Sequence, residues 1–444
     1  TVGGVGTALG GGLSRGLVKV EGGLITTSTA VSGLDNHFIL GRYLATTGEM
    51  VMTGGTFTAQ RDFYVGGSGT GTLTLSGGRM QVGRLFISST VATQMNNTGG
   101  VGSVTVSSGT LLVTGSGSAA NLVVGTNATG TGSLTINGSG VVIVGGTLSR
   151  GAVGAINLQP GGTLQIGTGT GSGGILLSNT GSLVNDGTLV FSRGVDSSVS
   201  GVISGSGSVI KRVGVTWLTY TGSNTYSGLT SVEGGRLRLS GSGSLGTGGL
   251  SLAAGTTFDL GPLTAGTYTL PATGDLLGSG TVLGSGKTLA VLGSFLPGSS
   301  ATGTMSLDSG LTLDLSAAAG STFQLTDPAF GAGTYDLVSG SGSVLLGGPL
   351  TLAFTNGPYA SGTNVVRLFN VTGTLSGDVS SLTATGLEPD QQASFDATTG
   401  FVSILTVPEP TTLSAIGIAM VVLVVRNQRQ GGRSHFGEGR RQNR

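Results

Sequence analysis

One short text recurs in this chain at an almost fixed distance. Gly71-Thr72-Leu73-Thr74-Leu75 returns as Gly102-Ser103-Val104-Thr105-Val106 and again as Gly132-Ser133-Leu134-Thr135-Ile136, at intervals of 31 and 30 residues. A period of this size marks one structural unit laid on the next. Within each copy the apolar residues stand two apart, so in a strand they share a face, while Thr72, Thr74 and Ser76 take the other. A Gly/Ser turn and a second short strand follow each copy: Met80 to Val82, Thr110 to Val113, and Val141 to Val144. In the first two units a third apolar segment comes next, Leu85 to Ile87 and Leu122 to Val124. Three strands of about five residues joined by tight turns make one coil of a β-solenoid, with the surplus as a protruding loop. The fold class expected is therefore all-β, a right-handed parallel β-helix in which Leu73, Leu75, Val104, Val106, Leu134 and Ile136 stack inside.

Composition agrees with that reading. The chain has 444 residues, 89 of them glycine, and no collagen period. Closely spaced turns need positive φ repeatedly, which glycine adopts without steric cost. Disorder is excluded, because 37% of residues are apolar, only 9% are charged and mean hydropathy is +0.32. Similar strands recur at Gly162-Thr163-Leu164, Gly187-Thr188-Leu189 and Gly255-Thr256-Thr257. Residues 1–200 are accordingly assigned to Gly/Thr-rich repeats, 201–260 to a variant repeat, 261–406 to a less regular β region with a cap, and 407–444 to a separate tail. In the third region Leu296 to Ser300 is expected to be a loop, and Val366 to Phe369 through Phe401 to Ile404 are expected to close the open end of the stack.

Catalytic chemistry finds few residues to stand on. There is no cysteine and there are two histidines, His37 and His435, too few for a Ser-His-Asp arrangement or a metal site. No cofactor is expected. A polysaccharide-cleaving β-helix enzyme would need carboxylates gathered on one face. The densest group is Asp308, Asp314, Asp327 and Asp336, which fall in different turns. Gly66-Gly67-Ser68-Gly69 lacks the lysine and helix of a phosphate loop and is a turn. No basic stripe suits a nucleic-acid backbone, since upstream of Arg426 there are 14 basic and 18 acidic residues. The chain opens at Thr1 without a signal-peptide pattern, so an export signal is expected upstream.

Two segments carry family resemblances. From Gly205 to Leu239, Gly214, Gly222, Asn224, Thr225, Tyr226, Gly228, Thr230, Val232, Gly235, Leu237 and Leu239 match a pattern that resembles the autotransporter-associated β-strand repeat. Thr216, Leu218 and Tyr220 depart from it, with Trp217 standing one place ahead of the usual tryptophan slot. Asn224 is expected to close a turn on its own backbone and Tyr226 to pack on a neighbouring strand. A full autotransporter is not expected, because its membrane barrel would occupy the C-terminus.

The C-terminal text is Val407-Pro408-Glu409-Pro410, an apolar run from Leu413 to Val425, and then arginines that include Arg426, Arg429 and Arg433. It resembles the PEP-CTERM sorting tail of Gram-negative, exopolysaccharide-producing bacteria. The resemblance implies an exosortase-like membrane enzyme that recognises the Pro-Glu-Pro box, a short transmembrane helix and a cytoplasmic stop made by the arginines. Two prolines keep such a box extended. The 13-residue run makes about 20 Å of helix against about 30 Å of hydrocarbon, short for a permanent span. The function expected is non-catalytic: an exported structural or adhesive protein, held briefly at the inner membrane and then released to the cell surface or matrix. Exopolysaccharide or cell-surface glycans are its expected partners. The alternative is an ice- or glycan-binding surface, for which Thr74, Thr105 and Thr135 would form an outward rank.

Overall fold

Apolar residues two apart and glycines at the corners leave the chain one economical way to bury its surface, which is to wind and stack. The computed structural model describes residues 15–27, 38–88, 100–115, 120–125, 130–169 and 183–407. Among these residues there is no helix, and the strands stack as parallel ladders, one coil above another.

The first ladder runs through Arg15–Val20, Thr47–Met52, the start of Thr70–Ile87, Val101–Val106, Thr131–Ile136 and Gly154–Leu158. Its register sets Leu73 against Val104 and Val104 against Leu134, so the intervals of 31 and 30 residues are single coil steps. All six residues expected inside are fully buried. Each leucine hidden in this way contributes about 1.5–3 kcal/mol relative to exposure.

The second ladder alone continues through the whole stack, from Leu24–Thr27 to Ser381–Thr385. The coil shortens along it, for Thr188 pairs Ser208 and Thr230 pairs Leu250, each twenty residues on. Other ladders are exchanged as this happens. The third apolar segment forms a ladder through Leu85, Leu122 and Leu148, so the third unit has this strand as well, at Thr147–Arg150. Its outer side is also apolar: Tyr64, Phe86 and Val123 form a second cluster, with the two rings stacked at 4.7 Å. From Ser197–Val199 onward a different ladder takes over that side, passing through Trp217–Tyr220, Arg236–Leu239, Thr257–Asp259, Thr281–Leu283, Thr304–Leu307, Leu337–Gly340 and Phe369–Val371. A further ladder begins at Thr267–Leu270 and ends at Leu375–Gly377.

Several local expectations are revised. The three strands of the unit at Thr70 are one continuous strand, Thr70–Ile87, kinked at register shifts rather than cut by turns. Residues 261–385, irregular in text, continue the ladders. Leu296 and Pro297 belong to the strand Ser294–Pro297, and only the residues after them turn. At the end of the stack Gly362–Arg367, Phe401–Thr406 and Gln391–Asp396 form a three-stranded antiparallel sheet, with Val402 and Ile404 fully buried.

Candidate functional site

The segment of the repeat resemblance, Gly205 to Leu239, lies where the coil is short and the ladders change over. Alternation places Leu218 and Tyr220 inside and Trp217 and Thr219 outside. Trp217 stands one position early, and a shift of one residue moves a side chain to the opposite face of a sheet. The only tryptophan of the chain is therefore on the outer surface. Its backbone N–H is held by the Asp196 carboxylate at 2.9 Å.

Asn224 does not close a turn on itself. Its Oδ1 accepts the Ile203 N–H at 2.8 Å, and its Nδ2 donates to the Ser244 carbonyl at 2.6 Å. These partners belong to the coils before and after, so one buried amide continues a ladder where the backbone strands have ended. The neighbouring Thr225 N–H bonds the Ile203 carbonyl at 2.9 Å. Tyr226 is fully buried, and its hydroxyl shares a 2.6 Å hydrogen bond with Thr230, which occupies a core position between Val209 and Leu250. Burial pushes the Tyr226 hydroxyl pKa up, against the Thr230 hydrogen bond, and raises that of Tyr220 further. Both phenols are thus neutral at physiological pH.

The glycines of the segment have steric reasons. A Cβ on Gly228 would lie 2.3 Å from the Gly207 carbonyl oxygen, and Gly235 has φ of +79° in the corner below Gly214. Gly214 lies in the preceding corner and Gly222 just ahead of Asn224. Another core position is taken by Lys211, between Phe191 and Val232. Its Nζ reaches the Val213 carbonyl at 2.7 Å, and burial lowers its pKa while Asp196 opposes the shift. Matched residues such as Asn224, Tyr226 and Gly228 are brought together as packing and ladder groups.

The aspartates act in the same way. Asp186, Asp196, Asp275 and Asp336 each accept a backbone N–H from a strand or corner of an adjacent coil. Asp336 is fully buried, and its two oxygens take the N–H groups of Gly303 and Gln324, both at 2.8 Å. Burial pushes its pKa up to about 6, against those two hydrogen bonds. Of its sequence neighbours, Asp314 bonds the Ser316 N–H and Asp327 the Ala329 N–H, each two residues on. No group of three His, Cys, Asp or Glu side chains suited to a metal exists among the described residues.

On the outer face beside Trp217 the structure assembles a cluster the sequence did not announce. Arg238 stacks over the indole at 3.9 Å and pairs with Asp259 at 3.0 Å, while Arg236 stands 5.3 Å from the ring centroid. The signal was present as the alternation Arg236-Leu237-Arg238, but the coil length that sets it against Trp217 was not.

Of the tail, only Val407 is described, its N–H bonded to the Asp390 carbonyl at 2.6 Å. Pro408, Glu409, Pro410, the apolar run, Arg426, Arg429, Arg433 and both histidines lie outside the described residues. Among the described residues no helix is long and apolar enough to cross a membrane. No family model and no curated protein matches this chain.

Proposed function

We propose that the protein is a non-catalytic, right-handed β-solenoid with a structural or adhesive role, sorted by an exosortase-type system to the cell surface or exopolysaccharide matrix. The observation that carries the non-catalytic part is that four of its aspartates, Asp186, Asp196, Asp275 and Asp336, spend oxygens on backbone N–H groups of adjacent coils. A general acid or nucleophile needs an oxygen facing substrate. The sorting part rests on the likeness of Val407 to Arg444 to a PEP-CTERM tail. Arginines there would resist crossing the bilayer, at about 2.5–3.5 kcal/mol each, and keep the Pro-Glu-Pro box on the outer side.

Intact mass of the surface-extracted protein from an exosortase-competent host tests the sorting reading. Processing near the box removes the apolar run and six arginines and takes the formal charge from +1 to about −4. Replacing Pro408, Glu409 and Pro410 by alanine should trap the full-length form in the inner membrane. A surface species that still carries residues 426–444 would make the tail an ordinary anchor.

A second reading, ice binding, has one observation in its favour. Thr74, Thr105 and Thr135 are in strict register on the outer face, with Thr72, Ser103 and Ser133 in the parallel rank. The second rank holds one threonine, and Ser133 spends its hydroxyl on Ser103 at 3.3 Å. Absence of ice shaping and thermal hysteresis in the purified protein would remove this reading.

A further inference from the structure

The outer face of the ladder that begins at Ser197–Val199 carries one row of side chains in unbroken register: Trp217, Arg236, Thr257, Thr281, Ser306 and Ser339. At about 4.8 Å per rung the row is about 24 Å long and runs along the axis of the stack. Its head is cationic and aromatic, and its body is a rank of hydroxyls. Among the described residues no protein hydrogen bond engages the hydroxyls of Thr257, Thr281, Ser306 or Ser339.

Charge singles out the head of the row. Arg212 is neutralised by Glu233 at 2.8 Å and Arg238 by Asp259 at 3.0 Å, but Arg236 is exposed and has no carboxylate partner among the described residues. A guanidinium held beside an indole and left without an acid is a preorganised fork for a carboxylate. Arg193 and Lys211 of the same stretch are buried, so among residues 193–259 Arg236 is the exposed cation without a carboxylate partner.

We propose that this row binds a linear acidic polysaccharide lying along the stack, with a uronate carboxylate on Arg236, a sugar face against the edge of Trp217, and sugar hydroxyls on the rank from Thr257 to Ser339. A periodic polymer matches a periodic row, and the isolated cation selects the acidic class. The inference rests on the reading of the protein as a component of a glycan matrix and names the kind of glycan.

Trp217 is the sole tryptophan, so fluorescence excited at the red edge of the absorption, beyond the seven tyrosines, reports this row alone. The full-length protein is titrated with polygalacturonate, with dextran and with duplex DNA. Polygalacturonate should change the emission saturably, and added salt should weaken the effect. Arg236→Ala should reduce the affinity at least tenfold with an unchanged circular dichroism spectrum, Arg236→Lys should fall between, and Arg79→Ala, an exposed arginine of an early coil, should match the parent. No change in emission, or an affinity indifferent to Arg236→Ala, overturns the proposal. Equal binding of dextran overturns the acidic class, and equal or tighter binding of DNA overturns the assignment to polysaccharide. The titration uses purified protein and is independent of tail processing, so its failure and that of the sorting reading are distinguishable.

Discussion

Asn224 provides the sharpest test of how the stack is held where its ladders change over. The side chain is 5% exposed and serves two coils, through the Ile203 N–H at 2.8 Å and the Ser244 carbonyl at 2.6 Å. Asn224→Ala leaves the buried Ile203 donor without a partner, at about 1–3 kcal/mol. The Ser244 carbonyl is half-buried and recovers part of its loss from water, so the whole change should come to about 2–4 kcal/mol. Asn224→Asp separates the two bonds. An aspartate still accepts from Ile203, but when ionised it turns an oxygen towards the Ser244 carbonyl, while its protonated form can donate there. Its folded pKa should therefore lie above the unfolded value, and its stability should be greatest in acid and fall as pH rises through the folded pKa. Urea unfolding followed by circular dichroism measures the loss. Because coils of a repeat stack can open separately, hydrogen exchange over residues 203–205, 224–227 and 244–247 should accompany it. An alanine variant within about 0.5 kcal/mol of the parent, with unchanged exchange at Ile203, would refute the clamp, since such a change is ordinary for an uninvolved surface site. So would an aspartate variant whose deficit does not shrink on acidification.

Other perturbations probe other levels of the fold. Leu134→Ala removes a fully buried rung residue between Val104 and Ile156 and should cost about 2–5 kcal/mol, read as a shift in urea midpoint. Gly228→Ala drives a methyl towards the Gly207 carbonyl at 2.3 Å and should open the coil locally, seen as faster exchange over 205–210 without loss of the early coils. Asp336 has a folded pKa of about 6 against an ordinary 3.8, so the folded state holds its proton more tightly than the unfolded one. Stability should then be fully supplied below the unfolded value and decline by about 3 kcal/mol in all, about 2 kcal/mol of it as pH rises from 4 to 6, opposite to ordinary acid denaturation. Urea midpoints across that window check it, and Asp336→Asn should flatten the slope.

What the sequence determined by itself was strand parity and the spacing of the first coils. The period of two in Leu73-Thr74-Leu75 fixed which residues face inward, the intervals of 31 and 30 residues gave the first coil steps, and the glycines marked corners. These features are local because strand parity and turn sterics depend on a few adjacent residues. That Trp217 faces outward and Leu218 inward was settled by the strand Trp217–Tyr220 in the structure. What only the tertiary structure decided was which residue lies beside which on the next coil. That depends on the length of every turn between them, and the turns vary. Hence the shortening to twenty residues at Thr188 and Ser208, the continuation of the ladders through the irregular text after residue 260, and the strand at Ser294–Pro297 were not legible. Asn224 looked like a residue serving its own turn because its partners, Ile203 and Ser244, are each about twenty positions away. Asp336 looked like one turn aspartate among four until burial joined it to Gly303 and Gln324. The row from Trp217 to Ser339 has no sequence period at all, its steps being 19, 21, 24, 25 and 33 residues. Only stacking makes it a line.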